Sequence, residues 1–167
     1  ELFKETIEDL SRTTDEAYNL LENLLGWARS QNDTLKVAPE TINMKSVVNS
    51  AAGLLKLNCE NKNINIINNV PDTTTVFADN AMTHAILRNL LSNAIKFTNE
   101  NGAIEVSAVI DESMVEISVK DSGIGIEPSE LDKIFTNEAI QSYGTNKEAG
   151  SGLGLKLCKD FAEKNGG

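Results

Sequence analysis

A long and strongly apolar helix in the middle of the chain constrains the fold most. Apolar side chains recur at helical spacing from about residue 80 to residue 97, and Asp79 precedes them, where its carboxylate can cap the first turn. A helix this apolar must pack against another layer. Strand patterns, β-branched or alternating, supply that layer at residues 64–67, 76–78, 104–110 and 115–119. At 167 residues the chain can bury one good core, so we predict the α+β class.

The first thirty residues follow a different pattern. Their apolar positions recur at alternating steps of four and three, which is typical of a coiled coil or helical hairpin. An ordinary amphipathic helix packed on its own domain is the alternative, because Leu20, Leu25 and Trp27 widen the apolar face. The regular repeat favours pairing with a partner helix through Phe3, Ile7, Leu10, Thr14, Ala17, Leu21, Leu24 and Ala28.

A boundary near residue 35 separates this helix from the rest of the chain. The polar run 31–33 and Pro39 disfavour continuation of the helix. We therefore predict two parts, a helix over residues 1–34 and a domain over residues 35–167. Within the domain, apolar spacing predicts further helices near residues 47–55 and 153–163, and a long loop at 127–150 of a length that is usually functional.

Composition excludes several classes of partner. Lys and Arg number 15 against 25 Asp and Glu, a net charge of -10, which disfavours nucleic acid and anionic membrane surfaces. Any anionic ligand must be held locally by backbone amides, a metal ion or a few cations. Cys59 and Cys158 lack zinc-site or disulfide-framework spacing, which fits a reducing cytoplasm. No apolar run approaches the ~18 residues that cross a bilayer, so no direct membrane contact is expected.

Three polar or glycine-rich motifs carry the chemistry. Asn89, Asn93 and Lys96 share one line of the central helix, where amide oxygens suit Mg²⁺ and the ammonium suits phosphate. A solvated stripe with a dipole-compensating lysine is an equal alternative. The strand at 115–119 runs into an acid and a Gly-x-Gly at 121–126, a pattern that more often forms only a turn.

The third motif is a run of alternating glycines before the last predicted helix. Gly150, Gly152 and Gly154 could let backbone amides and the helix N-terminus meet phosphate. The motif is neither a Walker sequence nor a dinucleotide fingerprint, and alone it is a weak signal. His84, the only histidine, is better interpreted as a half-buried helix residue than as a phosphoacceptor or base, because no acidic neighbour follows it.

Taken in order, the segments Asn89–Thr98, Asp121–Ile126 and Gly150–Leu155 resemble the N box and the two glycine boxes of sensor histidine kinases. The segment Leu21–Arg29 also resembles the end of that family's second dimerisation helix. The resemblance implies a Bergerat-type two-layer α/β sandwich, with a mixed sheet, helices on one face and a mobile lid over the nucleotide. A long coiled-coil-type helix would precede it.

The resemblance implies ATP and Mg²⁺ as ligands and assigns a role to each motif position. Asn93 would ligate Mg²⁺, Asn89 would support the metal and phosphates, and Lys96 would contact phosphate. The other implied nucleotide contacts are Phe97 in the pocket wall, Asp121 at the adenine amino group, Gly123, Gly125 and Ile126 in the first glycine box, Thr145 and Lys147 in the lid segment near the triphosphate, and Gly150, Ser151, Gly152, Leu153 and Gly154 in the lid hinge and phosphate cradle.

The chain also departs from the family pattern. No His is followed by Asp or Glu, so the phosphoacceptor is expected upstream of Glu1 and the chain alone is expected not to phosphorylate itself. The lid has Ile134 and Phe135 followed by Thr-Asn-Glu-Ala, where many members carry a second Phe after a Pro. Further sheet strands are expected after Gly167, and their absence predicts an exposed edge and reduced stability.

Implied partners are ATP or ADP, a second copy of the parent protein through the N-terminal helix, and a response-regulator receiver domain. Two other functions compete. Related ATP hydrolases of the gyrase, mismatch-repair and chaperone type place a Glu general base at the position of Asn89, and an amide cannot take a proton from water. A module that only binds nucleotide or dimerises is the second alternative, disfavoured because all motif positions are intact.

Overall fold

The computed structural model describes residues 36–111, 113–136, 144–146, 148 and 152–167. All of these except Lys36 belong to one compact unit, which extends over Val37–Gly167. The predicted helix over residues 1–34 lies outside the described residues, so its partner-helix interpretation remains a prediction.

The described part of the chain contains five strands and five helices. In order they are β1 Pro39–Asn43, α1 Met44–Leu54, α2 Lys56–Lys62, β2 Asn65–Asn68, β3 Thr75–Asp79, α3 Asn80–Phe97, β4 Ala103–Asp111, β5 Met114–Asp121, α4 Pro128–Leu131 and α5 Gly154–Lys164. Strands β1 and β3 form an antiparallel pair. Strand β4 is central in a second sheet, parallel to β2 and antiparallel to β5. The predicted α+β class with a mixed sheet is confirmed.

The core lies between the mixed sheet and helices α1 and α3. Alternation along β4 turns Ile104 and Val106 inward, where both are fully buried, and leaves Glu105 exposed on the other face. Leu87 and Leu91 of α3 pack in the same cluster. Helix α3 supplies one wall of this core, and α5 packs against α3 outside it.

Asp79 fixes the start of α3 as the sequence predicts. Its Oδ1 accepts a hydrogen bond from the Met82 amide at 3.0 Å, the geometry of an N-cap, and its Oδ2 accepts one from the Ala38 amide at 3.0 Å. The Asp79 amide itself donates to Asn165 Oδ1 at 2.7 Å. A cap of this kind stabilises a helix by about 1 kcal/mol. The Asp79 side chain therefore joins the first turn of α3 to the segment before β1, and the Asp79 backbone amide is bonded to the residue after α5.

Two features of the strands were not predicted. Strand β1 begins at Pro39, a residue that tolerates the first position of an edge strand because it has no amide to donate. Strands β2 and β3, which correspond to the strand patterns at residues 64–67 and 76–78, belong to different sheets although they are consecutive in the chain. The patterns at 104–110 and 115–119 correspond to β4 and β5, which pair antiparallel.

Two further sequence features have structural counterparts. Cys59 and Cys158 are both buried and free, and burial raises the pKa of the Cys158 thiol to about 12. None of the helices in the described ranges has the length and apolar character needed to span a bilayer.

Candidate functional site

The polar line of α3 is partly buried and faces away from the core. The Asn89 Nδ2 donates to the Ala85 carbonyl one turn earlier, at 3.0 Å. Within the part of the chain that the structure describes, the Asn93 side chain makes no hydrogen bond. The Lys96 Nζ lies 4.7 Å from the centroid of the Phe97 ring, within cation–π range. Two members of the line are thus held by neighbouring groups of the same helix, and the ligand roles that the resemblance gives them remain predictions.

The last turn of α3 is where the distant motifs meet. A helix leaves its final carbonyl groups without partners inside the helix. Here the Lys62 Nζ donates to the Ile95 and Lys96 carbonyls, each at 3.0 Å. The Thr145 amide donates to the Lys96 carbonyl at 3.0 Å, and the Ile124 amide donates to the Phe97 carbonyl at 3.2 Å. Three segments far apart in sequence thus cap one helix end.

The first glycine motif packs directly on this helix end. Asp121 ends β5, and its Oδ1 accepts a hydrogen bond from the Gly123 amide at 2.8 Å. A Cβ on Gly123 would collide with the Phe97 carbonyl oxygen and stand 2.7 Å from Asp121 Oδ1, so the close approach requires glycine. The Asp121 side chain remains exposed beside Phe97, which brings together two residues that the resemblance assigns to the adenine pocket.

The end of the first glycine motif is apolar and exposed. Gly125 adopts a φ of 72°, a left-handed conformation that favours glycine. Ile126 follows it and is 49% exposed. An exposed apolar side chain of this kind is suited to packing against a flat heteroaromatic ring.

The second glycine motif reaches the other end of the polar line. Gly154 begins α5, and a Cβ there would lie 3.0 Å from Asn89 Oδ1, tighter than almost all real contacts. Gly152 has a φ of 70°, and Leu153 is partly buried at the N-terminal boundary of α5. The N-terminus of α5, an end of a helix that attracts anions, therefore stands beside Asn89. Three predicted residues of this region lie outside the described residues: Lys147, Gly150 and Ser151.

The Thr145 hydroxyl is engaged with protein groups. It accepts a hydrogen bond from Lys62 Nζ at 2.8 Å and lies 3.1 Å from the Thr98 carbonyl. Its predicted contact with the triphosphate remains a prediction. Lys62 was not predicted at all. It is only 4% exposed and forms an ion pair with Glu148, Nζ to Oε1 at 2.6 Å. Lysine is seldom buried, so no sequence signal distinguishes it from its exposed neighbours.

His84 lies near the start of α3, and its Nδ1 is 2.9 Å from the Asn80 carbonyl, one turn earlier. That geometry is of an Nδ1–H donating to the helix backbone. The contact agrees with the interpretation of His84 as a helix residue.

The available donors fit a magnesium ion. Mg²⁺ binds through one or two protein oxygens together with phosphate oxygens and water. Asn93 offers a partly buried amide oxygen that has no hydrogen-bond partner in the described ranges, one helical turn from Asn89. The residues present therefore suit a metal that a polyphosphate also ligates.

The Glu148 carboxylate should make stability depend on pH in the acid range. Although burial opposes ionisation, hydrogen bonds from Lys62 and from the backbone amides of Glu148 and Asn146 lower the pKa of Glu148 below its ordinary 4.5. A lowered folded pKa contributes stability above the unfolded pKa, and that stability is lost as pH falls through the folded value. The stability difference between wild type and Glu148→Gln should be constant above about pH 4.5 and shrink below it, as measured by urea denaturation. A difference that is flat down to pH 2.5 would contradict this assignment.

Fold and site together define an α/β domain built to bind a nucleotide, and comparisons with known proteins agree. The family model described as "Histidine kinase-, DNA gyrase B-, and HSP90-like ATPase" matches residues 78–167. The adaptive-response sensory kinase SasA of Parasynechococcus marenigrum (strain WH8102) is 33% identical over 162 residues, covering 95% of this chain and 42% of its own length.

Solved structures agree with the sequence relatives. The catalytic domain of histidine kinase ThkA superposes with a TM-score of 0.68 at 27% identity, covering 77% of this chain and 82% of that one. Full-length ShkA in complex with AMPPNP superposes with a TM-score of 0.74 at 26% identity, covering 98% of this chain and 34% of that one. The family match extends over more than half of the sequence, so this chain belongs to the family of histidine kinase-, DNA gyrase B- and HSP90-like ATPases. It spans less than half the length of the curated relatives that it matches.

Proposed function

We propose that this chain is the ATP-binding catalytic part of a sensor histidine kinase. It transfers the γ-phosphoryl group of ATP to a histidine of the parent protein upstream of Glu1, for relay to a response-regulator aspartate. The parent protein pairs with a second copy through the helix predicted at residues 1–34. The parent is a membrane-anchored sensor, and this chain is a part of it that lies in the cytoplasm.

The side chain of Asn89 is the observation that favours a kinase over a hydrolase. Hydrolases of this family need a carboxylate at this position to activate water. Asn89 has no basic group, its Nδ2 is bonded to the Ala85 carbonyl, and its Oδ1 faces Gly154. Catalysis by this site therefore rests on holding the nucleotide and its charge in place, while the attacking group comes from a protein side chain.

The remaining residues divide the work of binding. Asp121 accepts a hydrogen bond from the adenine amino group, beside Phe97 and Ile126 at the pocket wall. Lys96 and the amides at the start of α5 hold phosphate oxygens at opposite ends of the polar line. Asn93 holds Mg²⁺, supported by Asn89. When bound, the metal neutralises charge on the phosphates.

Phosphoryl transfer to an added partner tests the proposal. The chain alone, incubated with radiolabelled ATP, should take up no label, because the acceptor histidine is expected upstream of Glu1 and His84 is interpreted as a helix residue. Mixed with a longer parent chain that carries the upstream helix but has Asn93→Ala in its own site, it should label that chain with acid-labile phosphate. Label on the isolated chain that disappears with His84→Gln would contradict the assigned acceptor. Steady release of free phosphate, with no protein labelled, would favour a hydrolase.

A further inference from the structure

We propose that Lys62 is a positioning residue for the nucleotide site, acting through a turn that we call the Thr145 turn. The turn consists of Gly144, Thr145, Asn146 and Glu148. Lys62 belongs to α2, which carries none of the motif residues. The inference rests on the proposed function, because it concerns how the same site is held ready for the phosphates.

Lys62 joins the end of α3 to the Thr145 turn through its ammonium group alone. The Nζ contacts the Ile95 and Lys96 carbonyls, the Thr145 hydroxyl and the Glu148 carboxylate, all between 2.6 and 3.0 Å. An ammonium so deeply buried is stable only with partners of this kind. The contacts include a carboxylate and the last carbonyl groups of a helix, both of which attract a cation.

The chain is bent locally to place Lys62 there. Helix α2 ends at Lys62, and Asn63 adopts the left-handed conformation with a φ of 50°. The Lys62 carbonyl accepts a hydrogen bond from the Asn101 amide at 2.9 Å, and Asn63 Nδ2 donates to Asn101 Oδ1 at 2.6 Å. The backbone of Lys62 is therefore fixed to the loop between α3 and β4, and its side chain reaches the last turn of α3 from a fixed base.

The Thr145 turn is closed on itself around Glu148. The Gly144 amide donates to the Glu148 carbonyl at 2.9 Å, and the Asn146 amide donates to Glu148 Oε2 at 2.8 Å. One carboxylate thus holds the turn with one oxygen and Lys62 with the other. Loss of the Lys62 charge would leave this partly buried carboxylate without its cation.

The Thr145 turn packs against Lys96, a residue assigned to phosphate binding. A Cβ on Gly144 would lie 2.5 Å from Lys96 Cγ and 2.8 Å from the Lys96 carbonyl oxygen, so backbone and side chain are in close contact. Gly154, later in the sequence, also lies against α3, at Asn89. Gly144 and Gly154 therefore contact α3 at opposite ends of the polar line, on either side of Asn93. Lys62 secures the contact at the Gly144 end.

A selective loss of phosphate affinity is the expected consequence of removing the charge. Lys62→Met keeps the length of the side chain and removes its charge, and Lys56→Met is the matched control, because Lys56 lies on the same helix with its side chain 77% exposed. Affinity for MgATP should fall about tenfold in Lys62→Met, a typical coupling between sites. Adenosine binding is followed by the NMR chemical shifts of the Gly123 and Ile124 amides. Adenosine should bind Lys62→Met with the same affinity as wild type. Lys56→Met should match wild type for both ligands.

Each outcome decides between the two proposals. A wild-type chain that does not bind MgATP contradicts the proposed function and this inference with it. If wild type binds MgATP and Lys62→Met binds it equally well, the positioning role is wrong while the proposed function stands. Equal losses for MgATP and adenosine would make Lys62 merely structural. Should Lys62→Met fail to fold, Glu148→Gln is tested by the same two affinities, and a loss of MgATP affinity alone is expected. Unchanged affinity for MgATP, or equal losses for MgATP and adenosine, would overturn the positioning role.

Discussion

Replacing Asn93 with alanine is expected to remove the magnesium-dependent part of ATP affinity while leaving the fold intact. The amide is partly buried, has no hydrogen-bond partner in the part of the chain that the structure describes, and lies outside the buried core of α3. Supporting residues of metal sites typically contribute 10- to 100-fold to affinity, so a direct ligand should lose at least about that much. Calorimetric titration of ATP with Mg²⁺ and with EDTA measures the loss.

Asn80→Ala is the matched control for this substitution. Asn80 carries the same side chain on the same helix, is exposed, and uses only its backbone carbonyl in its contact with His84. Its ATP affinity should equal that of wild type. The thermal midpoint of the Asn93→Ala apo protein should stay within about 2 °C of wild type, because the partly buried amide makes no hydrogen bond in the described ranges and its loss should change stability by no more than ~0.5 kcal/mol. An apo protein that melts far earlier would show that Asn93 supports the fold rather than a ligand.

Replacing Gly123 with alanine is expected to damage both stability and nucleotide binding. The added Cβ would collide with the Phe97 carbonyl oxygen and stand 2.8 Å from the Phe97 carbonyl carbon, two backbone atoms that cannot move without shifting the end of α3. Overpacking of this kind costs about 1–3 kcal/mol. The same shift would break the Ile124 to Phe97 hydrogen bond and disturb the bond from the Gly123 amide to Asp121. Urea denaturation and ATP titration should both report the damage.

Gly53→Ala supplies the contrast for that experiment. Gly53 lies in α1 and has open space where a Cβ would stand, so alanine should stabilise the helix by up to about 1 kcal/mol and leave ATP affinity unchanged. If Gly123→Ala were as well tolerated as Gly53→Ala, the close packing of the first glycine motif on α3 would be wrong.

Local rules predicted α3 with its cap, and they failed where pairing decides the structure. Apolar spacing and the Asp79 cap are both encoded within twenty residues, so the observed helix Asn80–Phe97 matches the prediction. Strand β1 carries mostly exposed side chains and Pro39, so its strand character arises only from pairing with β3. No pattern within residues 39–43 contains that information.

The site, like the fold, could be predicted only in part from the sequence. Its motifs could be recognised because their glycines and asparagines are close together in the sequence, and the structure brings Asn89 to Gly154 and Phe97 to Gly123. Lys62 was invisible because a lysine at a helix end is ordinarily solvated, and only the tertiary fold places α3 carbonyls and Glu148 around it. The metal, phosphate and adenine roles assigned to the motif residues remain predictions.

Calorimetric titration of the wild-type chain with ATP and GTP, each with Mg²⁺ and with EDTA, tests the central claim most directly. ATP should bind in the presence of Mg²⁺ and far more weakly in EDTA, because Asn93 and the phosphates share the metal. GTP should bind weakly or not at all, because a carbonyl oxygen would replace the amino group that Asp121 recognises. Equal affinities for ATP and GTP would contradict the adenine role of Asp121, and ATP affinity unchanged by EDTA would contradict the metal role of Asn93.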